Sequence, residues 1–266
     1  MTRDDRGKNM EILDWLFIVI TAFLCIVSFV LMQYDFRKNP KKSEAKKDTS
    51  GTETAALKST ETEPPEEELA TAPISEHTPL QEKCPTAMLI YSAVMIVITL
   101  AISVMLCVVY TDNSFLFSLK RAALLSLLWP IGYIDYKTYR IPNLFILFGL
   151  SCRVLILIAE ILTKSPGVWH TLLTEAIAAG ALVLAAFLCT LCMKGSIGFG
   201  DIKLFAVMGL LLGTNGIIGA IFLTLIASFV ISIVLLVTKK KTKKDLIPFG
   251  PAIVIGTFLS VFLTGM

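Results

Sequence analysis

Histidine is scarce in this sequence, and its cysteines do not form the repeated clusters that hold zinc. Only His77 and His170 are present among 266 residues, and neither lies near a group of cysteines, so no metal site is expected. Most of the six cysteines fall inside apolar runs, where reduced, buried thiols are more typical than a disulfide framework. Charged residues make up only 17% of the chain. The basic ones lie at the ends of apolar runs, which argues against a nucleic-acid partner.

Apolar side chains are abundant instead. Hydrophobic residues make up 55% of the chain and the mean hydropathy is +0.74, more than a soluble domain of this length needs. A helix of about 20 apolar residues crosses a bilayer. Eight runs reach or approach that length, over residues 15–33, 88–110, 115–134, 144–163, 171–193, 202–213, 216–237 and 247–265. We therefore predict an all-α, polytopic transmembrane helix bundle of about eight helices, with a turn at 213–216.

Three segments differ in composition. Residues 1–35 contain the first apolar run, which lacks a small-x-small cleavage site and precedes the basic stretch RKNPKK, so we interpret it as a transmembrane helix. Residues 36–87 are polar and rich in Lys, Glu, Thr and Pro, which predicts a disordered cytoplasmic linker. An alternative is that its acidic part, at 61–68, attracts a basic peptide. Residues 88–266 hold the remaining transmembrane helices.

Lysine and arginine near the ends of the apolar runs predict the orientation in the membrane. With the loop after the first helix in the cytoplasm, the basic residues on that side are Arg37, Lys38, Lys41, Lys42, Lys137, Arg140, Lys194, Lys203 and the run KKKTKK at 239–244. The opposite side holds Arg3, Arg6, Lys8, Lys120, Arg121 and Lys164. The segments after the third and fifth helices then emerge together on the cytoplasmic face. Each of these segments carries an aspartate, Asp135 or Asp201.

These two aspartates are the candidate functional residues, because an ionisable group at membrane depth is costly and is retained chiefly for function. Each one alone is also compatible with an ion pair at the membrane interface. Asp135 would pair with Lys137 or Arg140, and Asp201 would pair with Lys203.

The backbone beside both aspartates is predicted to be irregular. Gly198 and Gly200 flank Phe199 directly before the second aspartate, and they allow a second peptide backbone to approach closely. Pro142 follows the first aspartate and starts a new helix. Irregular backbone at membrane depth is tolerated only beside protein or a water-filled cavity. A peptide held extended against this strip would be accessible to a nearby acid.

Two neighbouring carboxyl groups can cleave a peptide bond together. They do not both ionise easily, so one of them keeps a proton. The ionised group then takes a proton from water, the water attacks the peptide carbonyl, and the protonated group supports the developing oxyanion. This chemistry requires neither a metal nor a cofactor.

Three sequence blocks surround these residues: DYKTYRIPN from Asp135, GFGDIKL ending at Leu204, and IPFGPA from Ile247. In this order they resemble the signature motifs of the type IV prepilin peptidases, a family of GxGD membrane aspartic proteases that includes the archaeal preflagellin peptidases. The resemblance covers residues 88–266. It implies that Asp135 and Asp201 are the catalytic pair.

The resemblance also implies a substrate and a location. The substrates would be prepilin or pseudopilin precursors, whose short basic leader is removed on the cytoplasmic side of the cell membrane, just before a hydrophobic helix. Gly198 and Gly200 match the GxGD glycines, and Lys203 matches the basic residue that commonly follows. The residues expected to position the substrate are Gly198, Phe199, Gly200, Lys203, Pro142 and Asn143.

The chain departs from the longer bacterial members of that family in its N-terminal third. Those members carry paired CxxC motifs and also N-methylate the new terminus, whereas CTLC at 189–192 has no second pair. We therefore predict cleavage without methyl transfer.

Three charged residues inside predicted helices need a separate explanation. Arg153 lies about 15 Å from the cytoplasmic end of its helix, while Glu160 and Glu175 are expected nearer the outer surface. An internal ion pair or a role in substrate transit would account for Arg153.

Two other functions are compatible with the sequence. A small ion-coupled transporter would also carry intramembrane acids and broken helices. A catalytically silent scaffold of a pilus system would keep the same helices.

Overall fold

The computed structural model describes residues 3–38, 86–110, 114–164, 167–192, 198–238 and 248–265. This part of the chain contains seven helices and no strand, which confirms the all-α prediction. The helices are α1 (Arg3–Lys38), α2 (Thr86–Val108), α3 (Phe115–Thr138), α4 (Asn143–Leu162), α5 (Val168–Cys192), α6 (Phe199–Val237) and α7 (Gly250–Thr264). All except α7 are long and apolar enough to cross a membrane. The chain is therefore a multi-pass membrane protein.

Helices α1 and α2 lie on either side of the predicted linker. α1 continues to Lys38, three residues beyond the predicted end of the first segment, and α2 begins at Thr86. The rest of the predicted linker, residues 39–85, lies outside the described part of the chain.

α3 lies at the centre of the bundle. In its most apolar window 78% of the residues are buried, against 11–33% in the other spans, and it packs against α1, α2, α4, α6 and α7. It is also the least apolar of the six spans. Lipid would not tolerate its charged residues, whereas surrounding helices supply partners for them. The polarity of α3 is thus the physical reason for its central position.

α6 combines the two helices that the sequence predicts over 202–213 and 216–237. Its 39 residues depart from helical geometry within the helix at Gly213, where φ is 69° and ψ is −176°. This left-handed φ favours glycine. A straight helix of this length would extend about 58 Å, roughly twice the hydrocarbon thickness of a bilayer. The predicted break is present, but it is one residue long, because residues 214–216 are helical.

A buried arginine on α3 binds the free backbone carbonyl at the break in α6. The Nη2 atom of Arg121 donates to the carbonyl oxygen of Leu212 at 3.3 Å, directly before the break. The Arg121 guanidinium also lies over the ring of Phe117, 3.3 Å from its centroid. Free carbonyls at a helix end carry partial negative charge. Arg121 therefore neutralises a backbone end that lipid would leave unsatisfied.

A buried ionic cluster joins α3, α4 and α5. Lys120 Nζ lies 2.7 Å from a carboxylate oxygen of Glu175 and 2.9 Å from one of Glu160. Arg153 donates from Nε to Glu175 at 2.8 Å and from Nη1 to Glu160 at 3.2 Å. The internal ion pair predicted for Arg153 is confirmed. Both glutamates are buried within the bundle.

Candidate active site

The end of α3 positions Asp135. This residue is buried, and its carbonyl oxygen accepts a hydrogen bond at 2.8 Å from the N–H of Tyr139. Tyr139 ends the helix in the left-handed region, with φ of 51°. Pro142, with extended backbone, then precedes the first residue of α4, Asn143. The predicted proline break is confirmed. The chain turns within four residues of Asp135, so its carboxylate lies at the end of the bundle.

The start of α6 positions Asp201. Gly198 is the N-cap, and its N–H donates to Oδ2 of Asp201 at 3.3 Å. A carboxylate in the first turn of a helix is stabilised by the free N–H groups and the helix dipole. Asp201 is half-buried, while Gly198 and Phe199 are exposed. Asp201 therefore lies between the packed bundle and the surroundings.

The start of α7 holds the other aspartate in place. The N–H of Gly250 donates to Oδ2 of Asp135 at 2.7 Å. A Cβ atom on Gly250 would lie 2.9 Å from this oxygen and 2.7 Å from Cβ of Asp135. Glycine is therefore required here by close approach. The predicted set of site residues did not include Gly250, although the IPFGPA block that contains it was recognised.

Two contacts join the first block to the second. A Cβ atom on Gly200 would lie 3.1 Å from Cβ of Ile141, so the GFGD backbone packs against the connection between α3 and α4. Lys203 Nζ donates to Oδ1 of Asn143 at 3.2 Å. Both of these side chains are exposed. Lys203 and Asn143, each predicted to position a substrate, thus form a hydrogen-bonded pair.

The remaining predicted residues are divided between surface and core. Phe199 is 75% exposed, whereas Pro142 is buried and serves to start α4.

Between α6 and α7, the rings of Phe205 and Phe249 pack edge to face at 6.2 Å. All three sequence blocks therefore meet at one end of the bundle.

The meeting of these blocks brings the two carboxylates together. Asp135 and Asp201 lie at the same end of the bundle, because Gly250 donates to Asp135 and Gly200 packs against Ile141, although the two aspartates are 66 positions apart in the sequence. Two of the basic residues considered as ion-pair partners of these aspartates make other contacts. Arg140 pairs with Asp35 at 2.7 Å, and Lys203 donates to Asn143. Among the described residues, no group of three or more His, Cys, Asp or Glu could hold a metal ion.

The fold and the site together define a class: a multi-pass helical membrane protein with two aspartates, one at the end of a central helix and one at the start of another. Comparison with known proteins shows which family this chain resembles. Residues 122–237 match the model of the Type IV leader peptidase family. This range includes both aspartates and the GFGD block, while the IPFGPA block lies beyond it. The resemblance to the prepilin peptidases is thereby confirmed.

One curated relative is similar to this chain. It is the prepilin leader peptidase/N-methyltransferase of Bacillus subtilis (strain 168), 33% identical over 136 residues. The aligned region is 51% of this chain and 52% of the relative, so the chain spans about half the length of the protein it matches. No solved structure matches the chain.

Proposed function

We propose that this protein is a membrane-embedded aspartic endopeptidase that removes the short basic leader from prepilin or pseudopilin precursors. The observation that carries the proposal is the meeting of the three sequence blocks at one end of the bundle, where Gly250 donates to Asp135 and Gly200 packs against Ile141. The family match over 122–237 and the similarity to the Bacillus prepilin leader peptidase/N-methyltransferase support the same activity.

The proposed chemistry follows from the proximity of the two carboxylates. Repulsion between them disfavours the state in which both are ionised, so the pair shares one proton. The ionised member takes a proton from a water molecule, which attacks the scissile carbonyl carbon, while the protonated member donates to the carbonyl oxygen. The Gly250 N–H holds Asp135 in a fixed orientation. Such fixed geometry supplies much of the rate enhancement in enzymes.

The substrate is proposed to reach the pair from the side of α6. Asp135 is buried behind the α7 start, whereas Asp201 is half-buried beside exposed Gly198 and Phe199. The glycine backbone would lie alongside an extended peptide, and Lys203 with Asn143 would border it. A precursor would therefore meet Asp201 before Asp135.

We place the active site on the cytoplasmic side of the cell membrane, in contact with the surrounding lipid at its edges. The distribution of Lys and Arg in the loops supports this orientation. In the sequence, Lys120 and Arg121 fall on the opposite side and weaken the charge bias slightly. Both are buried inside the bundle, with Lys120 paired to glutamates and Arg121 bound to backbone carbonyls, so neither acts as a loop charge.

We further propose that this chain cleaves without transferring a methyl group. The name of the Bacillus relative includes N-methyltransferase, and the alignment covers only half of that protein. The support here is the absence of paired CxxC motifs from the sequence and the different composition of residues 1–87. Transfer of labelled methyl groups from S-adenosylmethionine to the new N-terminus by the purified protein would contradict this proposal.

The test of cleavage is co-expression with a precursor that carries a basic leader before an N-terminal apolar helix. Leader loss is scored by mass. Asp135→Asn and Asp201→Asn are each expected to abolish it while the protein remains in the membrane. The matched control is Lys137→Gln, because Lys137 is exposed at the same end of α3 and is expected to be dispensable. Substantial cleavage by Asp201→Asn would refute the proposal.

A further inference from the structure

We propose that Asp35, near the end of α1, is a positioning residue that holds the chain segment following Asp135 in its active geometry. The inference rests on the proposed peptidase function and assigns a role to the N-terminal helix, which lies outside the family match. Asp35 acts through Arg140 and has no direct part in the chemistry.

The contact itself is short and largely shielded. Nη2 of Arg140 lies 2.7 Å from Oδ2 of Asp35, and the Asp35 side chain is only 9% exposed. A pair of this burial is less screened by salt than a surface pair, and removal of one partner leaves the other charge without compensation. The pair therefore fixes the relative position of α1 and the connection between α3 and α4.

The end of α1 touches the chain on both sides of Asp135. The ring of Phe36 packs edge to face against Tyr133 at 5.9 Å, two residues before this aspartate. Asp35 binds Arg140, five residues after it. The intervening turn contains Tyr139 in the left-handed region, a conformation that non-glycine residues adopt only when their surroundings require it. The end of α1 thus contacts the chain both before and after the first carboxylate.

The connection between α3 and α4 also links α1 to the segment that bears the second aspartate. Ile141 directly follows Arg140 and lies against Gly200, with 3.1 Å between its Cβ and the place of a Gly200 Cβ. A displacement of the connection would therefore shift the GFGD backbone as well. A misplacement of about 1 Å in an active site can cost about 100-fold in rate. Loss of the Asp35–Arg140 pair is expected to act in this way.

An acidic residue near the site has an obvious alternative role, attraction of the basic leader of a substrate. The structure argues against it, because the carboxylate is mostly buried and is bound to Arg140. The two roles differ in kinetics. Loss of positioning lowers kcat, whereas loss of leader binding raises KM and leaves kcat unchanged.

The experiment measures kcat and KM for cleavage of a purified precursor by the full-length protein in detergent, at matched amounts of folded protein. Asp35→Asn is expected to lower kcat by about tenfold or more with little change in KM. The charge exchange, Asp35→Arg together with Arg140→Asp, is expected to recover most of the loss. The matched control is Thr21→Val, at a buried position of the same helix whose hydroxyl bonds only within α1, to Phe17.

Three outcomes would overturn the inference. They are an unchanged kcat in Asp35→Asn, a rise in KM alone, and an equal loss in Thr21→Val. If Asp35→Asn does not fold, Arg140→Gln removes the other partner of the pair. An unchanged kcat in Arg140→Gln, or a folded charge-exchange variant that is no more active than Arg140→Gln, then overturns the role. Failure of the proposed function looks different, since the wild type would then not cleave or Asp201→Asn would still cleave.

Discussion

Replacing Gly250 with alanine places a methyl group against Asp135 without introducing a new charge. The added Cβ would lie 2.7 Å from Cβ of Asp135 and 2.9 Å from its Oδ2. Carbon atoms in contact are normally about 3.5–4.0 Å apart, so the aspartate or the start of α7 must move by about 1 Å. The backbone of Gly250 is not in the left-handed region, so alanine adds steric contact and no backbone strain.

Two effects set the size of the expected loss. A misplacement of about 1 Å costs about 100-fold in rate, equivalent to about 2.7 kcal/mol in the activation free energy. The hydrogen bond from Gly250 N–H to the carboxylate is also lengthened, and such a charged bond contributes about 1.5–3 kcal/mol. The two values describe the same displacement and are not added. We therefore expect Gly250→Ala to cleave about 100-fold more slowly than the wild type.

The assay is the initial rate of leader removal from a purified precursor, followed by mass, with thermal unfolding in detergent measured in parallel. Gly180→Ala is the matched control, because the Cβ that it adds to α5 meets no atom within 4 Å beyond its chain neighbours and the adjacent backbone of its own helix. It is expected to cleave at the wild-type rate. A Gly250→Ala variant that is folded and cleaves as fast as the wild type would refute the reasoning that the α7 start fixes Asp135.

Other substitutions test the bundle and the border of the site. Lys120→Met removes a cation from the buried cluster with two glutamates and should destabilise the protein by about 3–5 kcal/mol, seen as a lower unfolding temperature; unchanged stability would contradict the cluster. Gly213→Ala forces alanine into a positive-φ conformation that is essentially restricted to glycine and should cost about 1–3 kcal/mol in the same measurement. Lys203→Met breaks only the exposed bond to Asn143; we expect nearly unchanged stability and a higher KM, and an unchanged KM would exclude Lys203 from substrate binding.

Hydropathy predicted most of the helices because lipid imposes a strong requirement on each of them. Backbone groups in a bilayer must be satisfied within a helix, so every long apolar run had one acceptable structure. The seventh helix was predicted in the same way, from the apolar run at 247–265. The turn predicted at 213–216 was too long, because Arg121 from α3 binds the carbonyl before the break and only Gly213 leaves helical geometry. That partner lies 91 residues away, beyond any local pattern.

Charge in the outer part of the bundle was harder to interpret from the sequence. Lys120 and Glu175 are 55 residues apart and form part of one buried cluster, and hydropathy alone does not indicate that they pair. Whether a charged residue in an apolar run faces water or another charge depends on which helices pack together. The central position of α3 decided this, and no single helix contains that information.

The sequence by itself determined the helical membrane fold, the two aspartates and the three blocks that surround them, because each depends on local composition or on residues adjacent in the chain. Only the tertiary structure decided which groups hold those aspartates: the Gly250 N–H on Asp135, Ile141 against Gly200, and Asp35 on Arg140. The physical reason is that hydrogen bonds, ion pairs and close contacts act over a few ångströms. They form between whichever parts of the chain the packing of α1, α3, α6 and α7 brings together.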